Sequence, residues 1–243
     1  MKSNGTLTKN GGTISQNGER SNTLVLVSGG PDSATLAKKV KLEHKEVGGT
    51  IHALYLRTGH LSDEKEIEAA NHIVSEIGGK LEIIDIKDLV VALGSDRILI
   101  HSEASIMRFG NAIALSIAIA YAFKIHANRV MIALHKDDAD ESAEYTQDFL
   151  DTIERLAAIG HGNSPKVEAP FLSMRKYEVF QLGVELGVDY SVTWSCIRRG
   201  KKHCGLCGAC RSRRRAFNVI GIDDPTEYEI EPVALESVAA IAM

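Results

Sequence analysis

Leu24-Val25-Leu26-Val27 runs straight into Ser28-Gly29-Gly30-Pro31-Asp32-Ser33, and Ala34-Thr35-Leu36-Ala37-Lys38-Lys39 follows without a break. The four apolar residues predict a short buried strand, and the last six open a helical pattern. A strand that turns through glycines into a helix makes an anion site. The free N–H groups of the first helical turn, and the positive end of the helix dipole, point at one spot. Glycine lets the backbone come close to a phosphate, and the two serine hydroxyls can donate to its oxygens. No Gly-Lys-Ser/Thr follows at the spacing of a Walker loop, so the usual lysine for β- and γ-phosphates is missing.

The same strand-then-helix order recurs along the chain. Ile51–Leu56, Leu81–Ile86, Arg129–Leu134 and Val167–Pro170 read as further strands. Helices are predicted from Ser62 or Asp63 to about Ile77, over Asn111–Ala122, over Glu144–Ile159 and over Lys176–Leu186, the last ended by Gly187. The stretch from Lys87 to Phe109 is less regular and reads as a partly helical connection. Five alternations predict an α/β fold: a doubly wound, five-stranded parallel sheet with right-handed crossovers. Ligands of such folds sit beyond the carboxyl ends of the strands. The loops Arg57–His60 and His135–Asp138 are placed there.

The chain has 243 residues, 44% apolar and 25% charged, with a formal net charge of −4. That suits one large domain with a small appendage and gives no global bias toward nucleic acid. No apolar run is long enough to span a bilayer. Residues 1–22 are rich in Asn, Gly, Ser and Thr and read as a disordered tail. The expected division is 23–190 for the nucleotide-binding α/β unit and 191–243 for a C-terminal metal segment.

All four cysteines fall in Cys196-x7-Cys204-x2-Cys207-x2-Cys210. Two intervening residues make a tight metal knuckle, and four thiolates with no open position make a closed, structural Zn²⁺ site. The rivals are a redox Cys-x-x-Cys pair and an iron–sulfur cluster. With no secretory signal beside the cysteines, a reducing cytoplasm is the expected compartment. Arg211, Arg213, Arg214 and Arg215 follow. They read first as local charge balance for thiolates and phosphates, with a nucleic-acid patch as the rival.

The loop Ser28-Gly29-Gly30-x-Asp32-Ser33 resembles the signature of the PP-loop ATP pyrophosphatases. The resemblance narrows at Thr193-Trp194-Ser195-Cys196, His203-Cys204-Gly205-x-Cys207-x-x-Cys210 and Arg214-Arg215-Ala216-Phe217. These look like the zinc segment of the 7-cyano-7-deazaguanine (preQ0) synthases. Arg108-x-x-Asn111 and Lys176 before Leu182-Gly183-x-x-Leu186-Gly187 extend the likeness. It implies an adenine nucleotide alpha hydrolase-like, Rossmann-like fold and an ATP-dependent ligase acting in the cytoplasm, as a homodimer. The family's substrates are ATP with Mg²⁺, 7-carboxy-7-deazaguanine and ammonia, and its product preQ0 is a precursor of queuosine and archaeosine. On this reading Val27, Ser28, Gly29, Gly30, Pro31, Asp32, Ser33 and Thr35 bind the nucleotide. Asp32, Ser33, Lys176 and Arg108 act on the reacting phosphates, and Cys196, Cys204, Cys207 and Cys210 hold zinc.

Three departures leave the acceptor open, one being Ile197 where the family has an aromatic after the first zinc cysteine. The family's Tyr-Pro-Asp-Cys segment is replaced within Ser142–Phe149, and Arg57-Thr58-Gly59 stands after the second strand. Asp137, Asp138 and Glu144 are the candidate acceptors for a guanine-like ring. The alternative is the same adenylating chemistry on another acceptor, a nucleic-acid base or a protein amine.

Overall fold

The computed structural model describes residues 22–93 and 109–230. The tail expected over residues 1–22 lies outside these apart from Asn22, and so does Arg108. The strands are β1 (Thr23–Leu26), β2 (Ile51–Arg57), β3 (Leu81–Asp85), β4 (Arg129–Met131) and β5 (Lys166–Glu168). They form one sheet in the order β3-β2-β1-β4-β5, parallel throughout. The order runs outward both ways from β1, so the switch point falls between β1 and β4.

Side chains alternate across a strand, and here the alternation divides the core in two. Val25, Ala53, Tyr55 and Met131 face one side, against Leu36, Ala37 and Val40 of α1 (Pro31–Val47) and Ala70, Ile73 and Val74 of α2 (Asp63–Glu76). Leu24, Leu54, Val130 and Val167 face the other. There they meet Ala112, Leu115, Ala118 and Ala122, together with Leu150 and Ile153. Both faces are covered, which is why the strands read as continuous apolar runs.

The remaining helices are α3 (Lys87–Ala92), α4 (Gly110–Lys124), α5 (Lys136–Glu141), α6 (Gln147–His161), α7 (Lys176–Glu185) and α8 (Gly208–Ile220). Most expected bounds shift by one or two residues, β5 for instance ending at Glu168 rather than Pro170, and three changes have an identifiable cause. β4 stops at Met131 rather than Leu134, because its neighbour β1 ends at Leu26, one residue past the Val25–Met131 pair. The helix expected from Glu144 begins at Gln147, capped by the Thr146 hydroxyl. Glu144 lies before it in a short 3₁₀ turn, Ala143–Tyr145, and serves another helix. The loop expected at His135–Asp138 is instead the start of α5, whose first residue, Lys136, follows His135 directly.

The C-terminal helix α8 packs on α7 through an aromatic cluster of Phe180, Tyr190 and Phe217. Tyr190 stacks on Phe180 with ring centroids 5.1 Å apart, and Phe217 stands edge-on to both. Gly183 of α7 is required by this packing, since a Cβ there would lie 1.8 Å from the Tyr190 hydroxyl.

Candidate functional site

The loop after β1 sits at the switch point, where an open α/β sheet makes its ligand crevice. Pro31 occupies the first turn of α1, where its missing N–H costs nothing. Gly29 has φ +80°, a left-handed backbone, and a Cβ there would lie 2.3 Å from the Glu66 carbonyl oxygen. The position therefore admits only glycine. The Ser33 hydroxyl donates to the Gly30 carbonyl at 2.9 Å and lies 3.4 Å from the Ser28 hydroxyl. The two serines and the glycine backbone thus form one small polar cradle at the start of a 17-residue helix.

Lys176 reaches this cradle from the first turn of α7. Its Nζ donates to Asp32 Oδ2 at 2.9 Å and lies 3.5 Å from His135 Nε2. Burial works against the ammonium, but Asp32, helped by Asp138 and Asp137, outweighs it and holds Lys176 above the ordinary lysine range. Asp32 Oδ1 is buried and has no partner among the described residues. A buried acceptor without a partner is costly, and in a ligand crevice it marks a place where a bound group completes the bonding. His135, buried directly before α5, flanks Lys176 from the other side. Its Nδ1 lies 3.2 Å from Asp138 Oδ2, and its backbone N–H donates to the same oxygen at 3.0 Å. The same Nδ1 accepts the Asp138 backbone N–H at 3.3 Å, so His135 and Asp138 form a reciprocal cap on the start of α5.

The expected residues divide as follows. Ser28, Gly29, Gly30, Asp32, Ser33 and Lys176 come together. Val27 and Pro31 are buried in the frame below them. Thr35 is not brought to the open face: it is fully buried, and its hydroxyl donates to the Pro31 carbonyl at 3.1 Å and lies 2.8 Å from Tyr190 Oη. The three candidate ring acceptors are all engaged by the protein. Asp137 accepts from the Lys176 backbone N–H at 2.8 Å and from Arg175 at 2.7 Å, and Asp138 accepts from His135. Glu144 caps α4, taking the N–H groups of Phe109 at 2.6 Å and Asn111 at 3.0 Å. Arg57 pairs with Glu64. Arg175 is not singled out by sequence, and His135 and Trp194 are read only within a crevice loop and the Thr193–Cys196 motif, since nothing local marks either as a neighbour of the lysine or of the glycine loop.

The cysteines converge. The four thiol sulfurs lie within 4.8 Å of one another, and all four residues are buried. Backbone N–H groups of Arg198 and Cys204 point at Cys196 Sγ, those of Leu206 and Cys207 at Cys204 Sγ, and that of Cys210 at Cys207 Sγ. Such donors stabilise thiolates. A single tetrahedral ion with bonds of about 2.3 Å sets its ligands about 3.8 Å apart. Cys204 and Cys210 are 3.9 Å apart and Cys207 and Cys210 3.3 Å. The residues fit one metal ion. Beside them His203 is buried and neutral, its pKa pushed down to about 4 by burial first and by Arg213 second.

The arginines that follow are mostly spent on the fold. Arg213 is fully buried and donates to the Tyr190 carbonyl at 2.7 Å, Thr193 at 2.7 Å, Ser195 at 3.3 Å and Asp224 at 3.2 Å. Arg214 lies over the Tyr228 ring at 3.6 Å and donates to the carbonyls of Gly205 and Ile230. Arg211 and Arg215 stay exposed.

A family model described as "Queuosine biosynthesis protein QueC" matches residues 22–221. The chain belongs to the QueC family. In curated relatives of this QueC-family chain the match runs nearly end to end. The 7-cyano-7-deazaguanine synthase of Caldicellulosiruptor bescii is 32% identical over 223 residues, 86% of this chain and 97% of the relative. That of Methanothermobacter thermautotrophicus is 30% identical, over 84% and 97%. Among solved structures, the U34-tRNA thiolase NcsA from Methanococcus maripaludis with its [4Fe-4S] cluster is 18% identical, with a TM-score of 0.54 over 82% of this chain and 65% of that one. This last likeness is one of fold. Among the described residues no helix is long and apolar enough to cross a membrane.

Proposed function

We propose that this QueC-family chain is an ATP-dependent ligase. It converts 7-carboxy-7-deazaguanine and ammonia to 7-cyano-7-deazaguanine in two activations. One ATP adenylates the carboxylate and ammonia displaces AMP to give the amide; a second ATP activates the amide oxygen, which leaves with AMP as the nitrile forms. A carboxylate is a poor electrophile, and adenylation supplies a good leaving group. The observation that carries the reading is the Lys176–Asp32 pair at 2.9 Å over the mouth of a glycine loop that opens a helix. The loop Ser28–Ser33 holds the pyrophosphate end of ATP, with magnesium accompanying the phosphates. Lys176 offsets charge as the α–β bond breaks, and its placement in a partly buried crevice strengthens that interaction. Arg108 belongs to the same reading as a second cation, although it lies outside the described residues. Cys196, Cys204, Cys207 and Cys210 hold Zn²⁺, which supplies a closed, structural cross-link and no chemistry. The working enzyme is a homodimer of the cytoplasm.

Incubation with ATP, 7-carboxy-7-deazaguanine and ammonium, followed by mass spectrometry, tests the reading. AMP, pyrophosphate and the nitrile are expected; ADP and phosphate would sink it. A second reading keeps the adenylation and changes the acceptor to a nucleic-acid base or a protein amine. It is favoured by one observation: Asp137, Asp138 and Glu144 are already engaged within the protein. AMP release that depends on added tRNA or protein, and not on the deazaguanine acid, would select it.

A further inference from the structure

The segment from Tyr190 to Cys196 is a strap between the metal knuckle and the phosphate loop. At its centre the Trp194 backbone N–H donates to the Gly29 carbonyl at 2.9 Å. In a trans, planar peptide the C=O and the next N–H point in opposite directions. Fixing the Gly29 oxygen on Trp194 therefore aims the Gly30 N–H the other way, toward the Ser28 hydroxyl at 3.4 Å and the cradle. Gly29 is held on its other side by α2, with the Glu66 carbonyl directly against it. The peptide is clamped from two directions.

Trp194 is in turn fixed by the metal segment. Its indole Nε1 donates to the Cys196 carbonyl at 2.6 Å. Its ring packs on His203 with centroids 4.2 Å apart. His203 Nε2 accepts the Ser195 N–H at 3.0 Å, and His203 precedes Cys204. Arg213 ties down Thr193 and Ser195 on either side of Trp194. Two of the four thiols, Cys196 and Cys204, thus lie within two residues of groups that hold Trp194.

We propose that Trp194 is a positioning residue for the phosphate loop, and that metal at the cysteine site, acting through Trp194, sets how tightly the loop binds pyrophosphate. The inference rests on the reading that Ser28–Ser33 holds the pyrophosphate end of ATP. Two ligands that favour the same arrangement of a shared element are coupled, and the coupling is reciprocal.

The experiment uses the full chain loaded with zinc and inorganic pyrophosphate as the probe, followed by calorimetry. Removing zinc with a chelator, or making Trp194→Phe, is expected to weaken pyrophosphate binding about tenfold, a typical coupling. The Phe variant keeps the backbone bond to Gly29 and loses the indole bond to Cys196. Zinc removal from Trp194→Phe should then cost less than twofold further, because both changes cut the same link. A role in stability alone would lower the melting temperature and leave affinity in the folded protein unchanged. Saturating pyrophosphate should raise zinc affinity by the same tenfold, read with a colorimetric chelator. Where the zinc-free or variant protein unfolds, the emission of Trp194, the one tryptophan in the chain, decides: it should shift when pyrophosphate binds the zinc-loaded wild type. No shift, equal affinities in folded protein with and without zinc, or losses that multiply would overturn the inference. Absence of pyrophosphate binding in every form would instead overturn the loop reading beneath it.

Discussion

Gly29 and Gly30 are adjacent in the loop, yet they should answer mutation very differently. An alanine at Gly29 must hold φ +80°, which costs about 1–2 kcal/mol. Its methyl would also lie 2.3 Å from the Glu66 carbonyl oxygen, where real contacts begin at 3.0 Å. Loop and α2 must separate by the difference, about 0.7 Å, and the opposing atom is helix backbone with no rotamer to yield. Overpacking of this kind adds about 1–3 kcal/mol. Gly29→Ala should therefore lose about 2–5 kcal/mol of stability. Gly30 has φ −78° and ψ 165°, which any residue adopts. Its added methyl would meet the Ser28 hydroxyl at 3.3 Å and the Trp194 carbonyl oxygen at 3.8 Å. Alanine is a poorer N-cap than glycine, so Gly30→Ala should cost less than about 1 kcal/mol. Urea unfolding of both variants, compared by linear extrapolation, measures the contrast. A Gly29→Ala protein within 1 kcal/mol of wild type, or two variants equally destabilised, would refute the clamping of Gly29 against α2.

Lys176→Gln should slow ATP–pyrophosphate exchange by about 10²- to 10³-fold, the usual cost of one electrostatic donor in a partly buried site, with circular dichroism unchanged. Arg213→Met should cost about 3–5 kcal/mol in urea unfolding, since it takes away the cation that faces the largely buried Asp224 together with the bonds donated to the Tyr190 carbonyl, Thr193 and Ser195. Burial works to raise Asp224, but hydrogen bonds from Tyr228 and Thr226 and the Arg213 charge outweigh it and hold the carboxyl below its ordinary value. Its stabilising contribution is therefore complete above about pH 4 and fades as pH falls through the depressed pKa, a loss that Arg213→Met should blunt in acid titrations. Glu144→Gln should cost about 1–2 kcal/mol by weakening the cap on α4, with affinity for 7-carboxy-7-deazaguanine unchanged in calorimetry. A tenfold loss of that affinity at full stability would make Glu144 a ligand group instead.

The sheet was legible because its signal is local. Apolar runs such as Leu24–Val27 and Ile51–Leu56 are bounded by glycines and caps, and a doubly wound sheet needs nothing more to be recognised. The ends of elements were less legible because they depend on neighbours. β4 stops where β1 stops pairing with it, and no residue in Arg129–Leu134 records that. The start of α6 moved because Glu144, three residues earlier, is drawn across to the N-terminus of α4. The helix α8 was hidden by its own metal-ligand spacing: Cys207 is both a knuckle residue and the N-cap, accepting the Cys210 N–H at its sulfur.

At the site the same distinction holds between residue type and residue use. Serine, glycine and aspartate in one short run announce an anion site wherever they occur in a strand–turn–helix. Charge alone announces little. Asp137, Asp138 and Glu144 read as free acceptors, but each lies near an unsatisfied helix start or a buried histidine, and those needs took them first. The Arg211–Arg215 run reads as local charge balance for thiolates and phosphates, with a nucleic-acid patch as the rival, yet Arg213 is the largest fully buried side chain described, and what it binds is the strap at Tyr190, Thr193 and Ser195. An arginine can be buried at this density because its five donors, held in one plane, meet two hydroxyls, a carbonyl and a carboxylate. The basic run therefore does its work inward. Its central member holds the segment that carries the Trp194 N–H to the Gly29 carbonyl, so on the proposed function charge in the cysteine segment would shape the nucleotide site without touching the nucleotide.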